Sequence, residues 1–143
     1  MDELIAGVQL TPLKHIPGNA GDIFHVMKND SAGYKGFGEV YISTVKNGFV
    51  KGWKRHTKMT LNIVVPVGRI RFVLYDEGTK KVQEIILSPE NYNRLTVTPG
   101  IWMAFKGEAN GESLLVNFAD IQHDPAEADN LTLDNTAIPY EWK

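Results

Sequence analysis

Glycine and proline punctuate this sequence at short intervals, and no stretch between them is patterned as a convincing amphipathic helix. The 13 Gly and 7 Pro among 143 residues separate runs rich in Val, Ile, Thr, Phe and Tyr. Such runs suit a pleated, half-buried surface. Strands are expected over residues 8–13, 22–28, 39–45, 49–53, 61–65, 69–76, 81–87, 91–97, 101–106 and 113–118. Turn signals lie between them: Pro17-Gly18-Asn19, a polar loop over 29–38, Asn47-Gly48, Pro66-Val67-Gly68, residues 77–80 and Thr98-Pro99-Gly100. Asn47-Gly48 tolerates positive φ and predicts a hairpin. The near-continuous apolar run 113–118 predicts a strand buried on both faces. Only residues 125–130, opened by Asp124, can form a helical turn. This pattern specifies an all-β sandwich or jelly roll.

The length suits a single domain spanning residues 1–143, with no internal repeat or linker. A net charge of −2 gives no general attraction to nucleic acid or anionic membrane, so any anion site must be local. The chain has no cysteine. That excludes disulfides, thiolate metal sites and cysteine nucleophiles, and it suits a cytoplasmic protein. The opening Met1-Asp2-Glu3-Leu4-Ile5-Ala6 is too acidic and too briefly apolar for a signal peptide. No run approaches the ~20 apolar residues of a membrane helix. The closing Ile138-Pro139-Tyr140-Glu141-Trp142 places two large aromatics near the end, where they are expected to pack on the barrel or on a neighbouring subunit.

Charge is concentrated in residues 49–76. Lys51, Lys54, Arg55, His56 and Lys58 run into two β-branched segments on either side of Pro66-Val67-Gly68, read here as a hydrophobic hairpin with basic groups at one end. In a closed barrel those groups can line a cavity or its mouth. Arg69 and Arg71 share one face of the following strand. With Lys51 and Arg55 they could hold a diphosphate, arginine doing so bidentately, or they could be solvated on the exterior.

The order of short motifs resembles that of the sugar-nucleotide cupins, the dTDP-4-dehydrorhamnose 3,5-epimerases and the dTDP-4-keto-6-deoxyglucose 3,4-ketoisomerases. Lys51-Gly52-Trp53-Lys54 stands where the epimerases have Arg-Gly-Leu-His. Lys51-Gly52-Trp53-Lys54-Arg55-His56, running without a gap to Gly68, follows the ketoisomerase Arg-Gly-x-His-x-His-Lys, so His56 falls on the second His and Lys54 on the first. Leu87-Ser88-Pro89-Glu90-Asn91, Thr98-Pro99-Gly100-Ile101-Trp102-Met103-Ala104-Phe105 and the Asp134 to Trp142 ending resemble three later epimerase motifs. The resemblance implies a cupin-type jelly-roll β-barrel. It further implies a homodimer acting as epimerase or keto-isomerase on a dTDP-linked keto sugar in cell-surface carbohydrate synthesis.

The departures from that pattern concern the chemistry. The epimerase base position holds Lys54, the later His position holds Met103, and the expected Tyr falls at Asn117 or Phe118. Proton abstraction beside a carbonyl needs a base that titrates near neutrality and a group that stabilises the enolate. His56 has the intrinsic chemistry for the first. Tyr41, ten residues before Lys51, stands near a family aromatic and is the candidate contact or second acid. Lys51, Trp53, Lys54, Arg55, Arg71 and Asn117 are the candidate substrate contacts. Glu39 or Asp120 is the expected support for His56. Trp53, Trp102 and Phe105 could stack on a base or sugar, or could be core. No cofactor is called for. A cupin metal would want a His-x-His pair, a Glu and a later His, and this chain offers Lys54-Arg55-His56, Thr60 and Met103. The alternative is a cupin without catalysis that binds a carbohydrate, a nucleotide sugar or a protein partner.

Overall fold

The computed structural model describes residues 3–143. Twelve strands and one three-residue 3₁₀ turn account for its regular structure: β1 (Val8–Pro12), β2 (His15–Ile16), β3 (Ile23–Phe24), β4 (Glu39–Lys46), β5 (Val50–His56), β6 (Leu61–Val67), β7 (Ile70–Asp76), β8 (Lys81–Leu87), β9 (Asn93–Val97), β10 (Trp102–Gly107), β11 (Glu112–Ala119), the turn Pro125–Glu127 and β12 (Ala128–Asn130). One five-stranded sheet runs β1-β9-β6-β11-β4 and a second runs β12-β5-β10-β7-β8. All strand pairs within them are antiparallel. The fold is the expected cupin-type jelly roll.

The chain changes sheet at nearly every turn, and this overturns two expected hairpins. Asn47-Gly48 does make a tight turn, with Gly48 at φ +82 and a Phe49 N–H to Lys46 C=O bond of 3.1 Å. Yet β4 and β5 lie in opposite sheets. The same holds for β6 and β7 on either side of Gly68, whose φ is +87 and whose missing Cβ would lie 2.2 Å from Ser113 Oγ. A turn signal is local; which sheet the next strand joins is settled by where its apolar face is buried. Among the described residues only β7–β8, across residues 77–80, and the small β2–β3 pair form hairpins. The expected strand 22–28 shrinks to Ile23–Phe24.

The core fills the space between the sheets, with Ile63, Val65, Ile70, Phe72, Leu74 and Leu95 among its fully buried members. β11 alternates instead of burying both faces: Ser113, Leu115, Asn117 and Ala119 are buried, whereas Leu114, Val116 and Phe118 are half-buried on the outside. Pro66 sits where β6 and β11 lose register, between Leu114↔Val67 and Val116↔Val64. A bulge is the place in a sheet interior where a residue without an N–H is tolerated. The tail packs on its own barrel. Ile138 is buried with Trp53, Val73, Tyr75 and Trp102 on the outer face of the second sheet, and Tyr140 and Trp142 pack over them.

Candidate active site

Strand β5 supplies both sides of the problem. Simple alternation from Lys51 would place Lys51, Trp53 and Arg55 together and Lys54 and His56 opposite. The pairing with β10 breaks that alternation: Lys54 faces Met103 and Lys51 faces Phe105, so three steps on β5 match two on β10. The extra residue is a bulge at Gly52-Trp53. A Cβ on Gly52 would sit 2.5 Å from the Ala104 Cβ, and its φ of +138 favours glycine. The bulge turns Lys51, Lys54 and His56 toward one cavity of about 410 Å³ between the sheets.

Polar groups converge there from both sheets. Tyr41 and Ser43 come from β4, Asn117 from β11, Lys51, Lys54 and His56 from β5, and Asn130 from β12, over an apolar floor that includes Leu61, Ile63 and Leu115. No carboxylate lines it among the described residues. Lys51 Nζ donates to Ser43 Oγ at 3.0 Å and to the Thr44 carbonyl at 3.1 Å. The Lys54 ammonium has no hydrogen-bond partner among the described residues, and neither lysine forms an ion pair there.

His56 is buried and its Nδ1 lies 2.6 Å from Glu127 Oε1. The other carboxylate oxygen, Oε2, accepts the Lys58 N–H at 2.8 Å and the Met59 N–H at 2.9 Å. Burial pushes the Glu127 carboxyl up, but the bonds from His56, Met59 and Lys58 outweigh it and hold the group down at about 2. Glu127 is therefore an anion that can only accept, which fixes the proton of a neutral imidazole on Nδ1. Nε2 has no partner among the described residues and is left as the basic nitrogen. Glu127 reaches this place because Asp124 Oδ1 caps the turn by accepting the Ala126 N–H at 3.0 Å, after which β12 pairs with β5.

Across the cavity a second chain of bonds has one consistent assignment. The Asn62 backbone N–H can only donate, and it points at Asn117 Oδ1 at 3.0 Å. Asn117 Nδ2 must then be the group that donates to Tyr41 Oη at 2.9 Å. The Tyr41 hydroxyl proton is left free to be donated elsewhere. Burial raises the Tyr41 pKa, so the phenol is neutral at physiological pH.

Three expected substrate contacts lie outside the cavity. Trp53, only 1% exposed, is packed in the outer cluster against Trp142, ring centroids 5.9 Å apart. Arg55 stacks on Trp102 at 4.6 Å and binds Asp129. Arg71 binds Glu108, Glu84 and Tyr140 and lies 5.7 Å from the Trp142 ring. The bulge and ordinary strand alternation turn all three outward. The expected supports of His56 are also engaged elsewhere. Glu39 accepts the His123 N–H at 2.8 Å and Asp120 accepts the Thr60 N–H at 2.8 Å. Nothing in the sequence marks Glu127 or Asn130 as residues of the site. The only available signal was the Asp124-Pro125 turn start, which does not say that a buried carboxylate follows.

No known family profile matches the sequence. A solved dTDP sugar isomerase from Desulfovibrio desulfuricans G20 is 35% identical, with a TM-score of 0.93 over 96% of this chain and 92% of that one. A probable low-salt glycan biosynthesis epimerase, Agl13 of Haloferax volcanii, is 25% identical over 96% of this chain and 89% of its own length. The fold also matches that of QdtA, a sugar 3,4-ketoisomerase from Thermoanaerobacterium thermosaccharolyticum solved in complex with TDP, at 18% identity and a TM-score of 0.75 over 88% of this chain and 89% of that one. Near-complete mutual coverage at 35% identity, on the same jelly roll, places this chain in the dTDP-sugar isomerase family.

Proposed function

We propose that this protein moves a proton next to the carbonyl of a dTDP-linked 4-keto-6-deoxy sugar, as an epimerase or keto-isomerase in cell-surface carbohydrate synthesis. One observation carries the reading. His56, backed by Glu127, enters a cavity from one sheet and the Tyr41–Asn117 pair enters it from the other, beside two lysines without carboxylate partners. His56 Nε2 takes the proton from the carbon beside the carbonyl. Glu127 holds the ring in the productive tautomer and stabilises the imidazolium as it forms. The electron pair moves onto the carbonyl oxygen, where a lysine ammonium stabilises the enolate. Tyr41 or protonated His56 then returns a proton to carbon. Lys51 and Lys54 supply the positive charge that a diphosphate or an enolate requires.

The protein acts as a homodimer in this reading, located in the cytoplasm. Support for pairing comes from β4, an edge strand of the first sheet: Val40 is 45% exposed and Ile42 61%, beside Phe37 at 63%. Unpaired edges and contiguous apolar surface favour association.

Proton–deuterium exchange tests the chemistry. Purified protein in heavy water with dTDP-4-keto-6-deoxyglucose is expected to introduce deuterium at C3 or C5, or at C4 where the carbonyl has moved to C3, read by NMR. Exchange at both carbons without movement of the carbonyl marks an epimerase; loss of the C3 proton as the carbonyl moves there, with deuterium entering at C4, marks a keto-isomerase. Tight nucleotide binding without exchange would overturn the catalytic reading.

A further inference from the structure

Two residues that the sequence concealed, Glu127 behind His56 and Asn130 in the cavity wall, arrive on one short piece of chain. β12 has three residues, lies at the end of its sheet and pairs only with β5, matching Ala128 to His56, Asp129 to Arg55 and Asn130 to Lys54. A strand this short on a sheet edge is a candidate for local opening. If it opens, His56 loses its carboxylate and the cavity loses part of its wall.

A side-chain clamp sits at the centre of this strand. Asp129 Oδ2 accepts from Arg55 Nε at 3.1 Å and from Arg55 Nη2 at 2.9 Å. The guanidinium is itself held against the Trp102 ring at 4.6 Å. A second carboxylate, Glu77 Oε2, stands 3.6 Å from Arg55 Nη1 but belongs to the β7–β8 turn and has no connection to β12. We propose that Arg55 and Asp129 are positioning residues that hold β12 closed on β5 and so keep Glu127 on His56 and Asn130 in the cavity wall. They touch neither substrate nor reacting atoms. Exposed ion pairs add little to global stability, so the effect of this one is local: it sets the fraction of molecules in which the His56–Glu127 pair is made. The proposal assigns Arg55 a part in catalysis that runs through the strand beside it, in place of contact with an anion.

The inference rests on His56 being the base, and its test is chosen to stand apart from turnover. In unliganded protein above neutral pH, the ¹⁵N shifts of the His56 ring, read through its carbon-bound protons and assigned with His56→Asn, report the ratio of Nδ1–H to Nε2–H tautomers. Wild type is expected to favour Nδ1–H, and Glu127→Gln to lose that preference. Asp129→Asn and Arg55→Gln are each expected to lower the ratio by about fivefold, as loss of an exposed ion pair would, while leaving the thermal midpoint nearly unchanged. The double variant should do no more than either single. Glu77→Gln should leave the ratio at the wild-type value. An unchanged ratio in Asp129→Asn and Arg55→Gln, with Glu127→Gln altered, would overturn the proposal. So would an equal loss in Glu77→Gln, since the effect would then not run through β12. A protein that passes this test but exchanges no substrate proton would lose the proposed function and keep the clamp.

Discussion

The two faces of strand β5 carry the same kind of residue and treat it in opposite ways. On the outer face, Arg55 and, two strands away in the same sheet, Arg71 of β7 are each held between carboxylates and an indole ring. On the inner face, Lys51 and Lys54 have no ion-pair partner among the described residues, and no carboxylate lines their cavity. Cations that serve the fold are neutralised within the chain. Cations left unpaired in a concave site are available to an anionic ligand. The one carboxylate near the inner face, Glu127, is spent on His56 and two backbone N–H groups.

The sharpest test of that contrast sets His56 against Trp53, three residues apart on opposite faces. His56→Asn is expected to lower turnover by about 10²–10⁴-fold with little change in stability, measured by kcat and thermal unfolding. Trp53→Ala should do the reverse, costing about 3–5 kcal/mol of stability through the cavity left in the outer cluster. A Trp53→Ala protein that stayed stable but lost nucleotide affinity would return Trp53 to the binding site.

Acid titration examines the third kind of charge, the buried Glu127. Its carboxyl is depressed from 4.5 to about 2 in the folded state. It therefore contributes stability that is fully present above the unfolded value and is lost as pH falls from about 4.5 toward 2, up to about 3 kcal/mol. Denaturant midpoints across that window should show a drop in wild type that is absent in Glu127→Gln. Equal drops in both proteins would mean that other carboxylates control the acid limb.

Arg71→Gln breaks the outer network and frees the tail. A loss of about 1–3 kcal/mol is expected, since charged hydrogen bonds to Glu84 and Glu108 go with it, while KM for the nucleotide sugar should not change. Lys54→Met has the smallest expected effect of the set on stability. It should weaken binding of thymidine diphosphate by about tenfold and flatten its salt dependence, as removal of one screened ammonium would. If Arg71→Gln weakened that binding and Lys54→Met did not, the two faces would have to exchange roles.

Much of this architecture was legible in the residues. Gly and Pro at short intervals, β-branched runs and the Asp124-Pro125 turn start specify short strands and turns locally, and the structure has them with boundaries shifted by a few residues. The order of motifs carried the jelly roll and the family. What could not be read was partnership. Asn47-Gly48 and Gly68 specify tight turns, but whether the next strand pairs with the last or crosses to the facing sheet depends on apolar surface far along the chain. The bulge at Gly52-Trp53 is equally silent, because it exists only against the backbone of Ala104.

The site divides along the same line. The sequence by itself determined that a basic stretch containing His56 enters a β-barrel, because residue type and local propensity are properties of neighbours in the chain. Only the tertiary structure decided that Lys51, Lys54 and His56 look inward while Trp53, Arg55 and Arg71 look outward. Only it brought Glu127 to His56 across 71 positions of sequence. A strand's facing is a matter of register with its partner, and one inserted residue reverses it. A hydrogen bond between distant residues records where two segments are packed, which no local preference encodes.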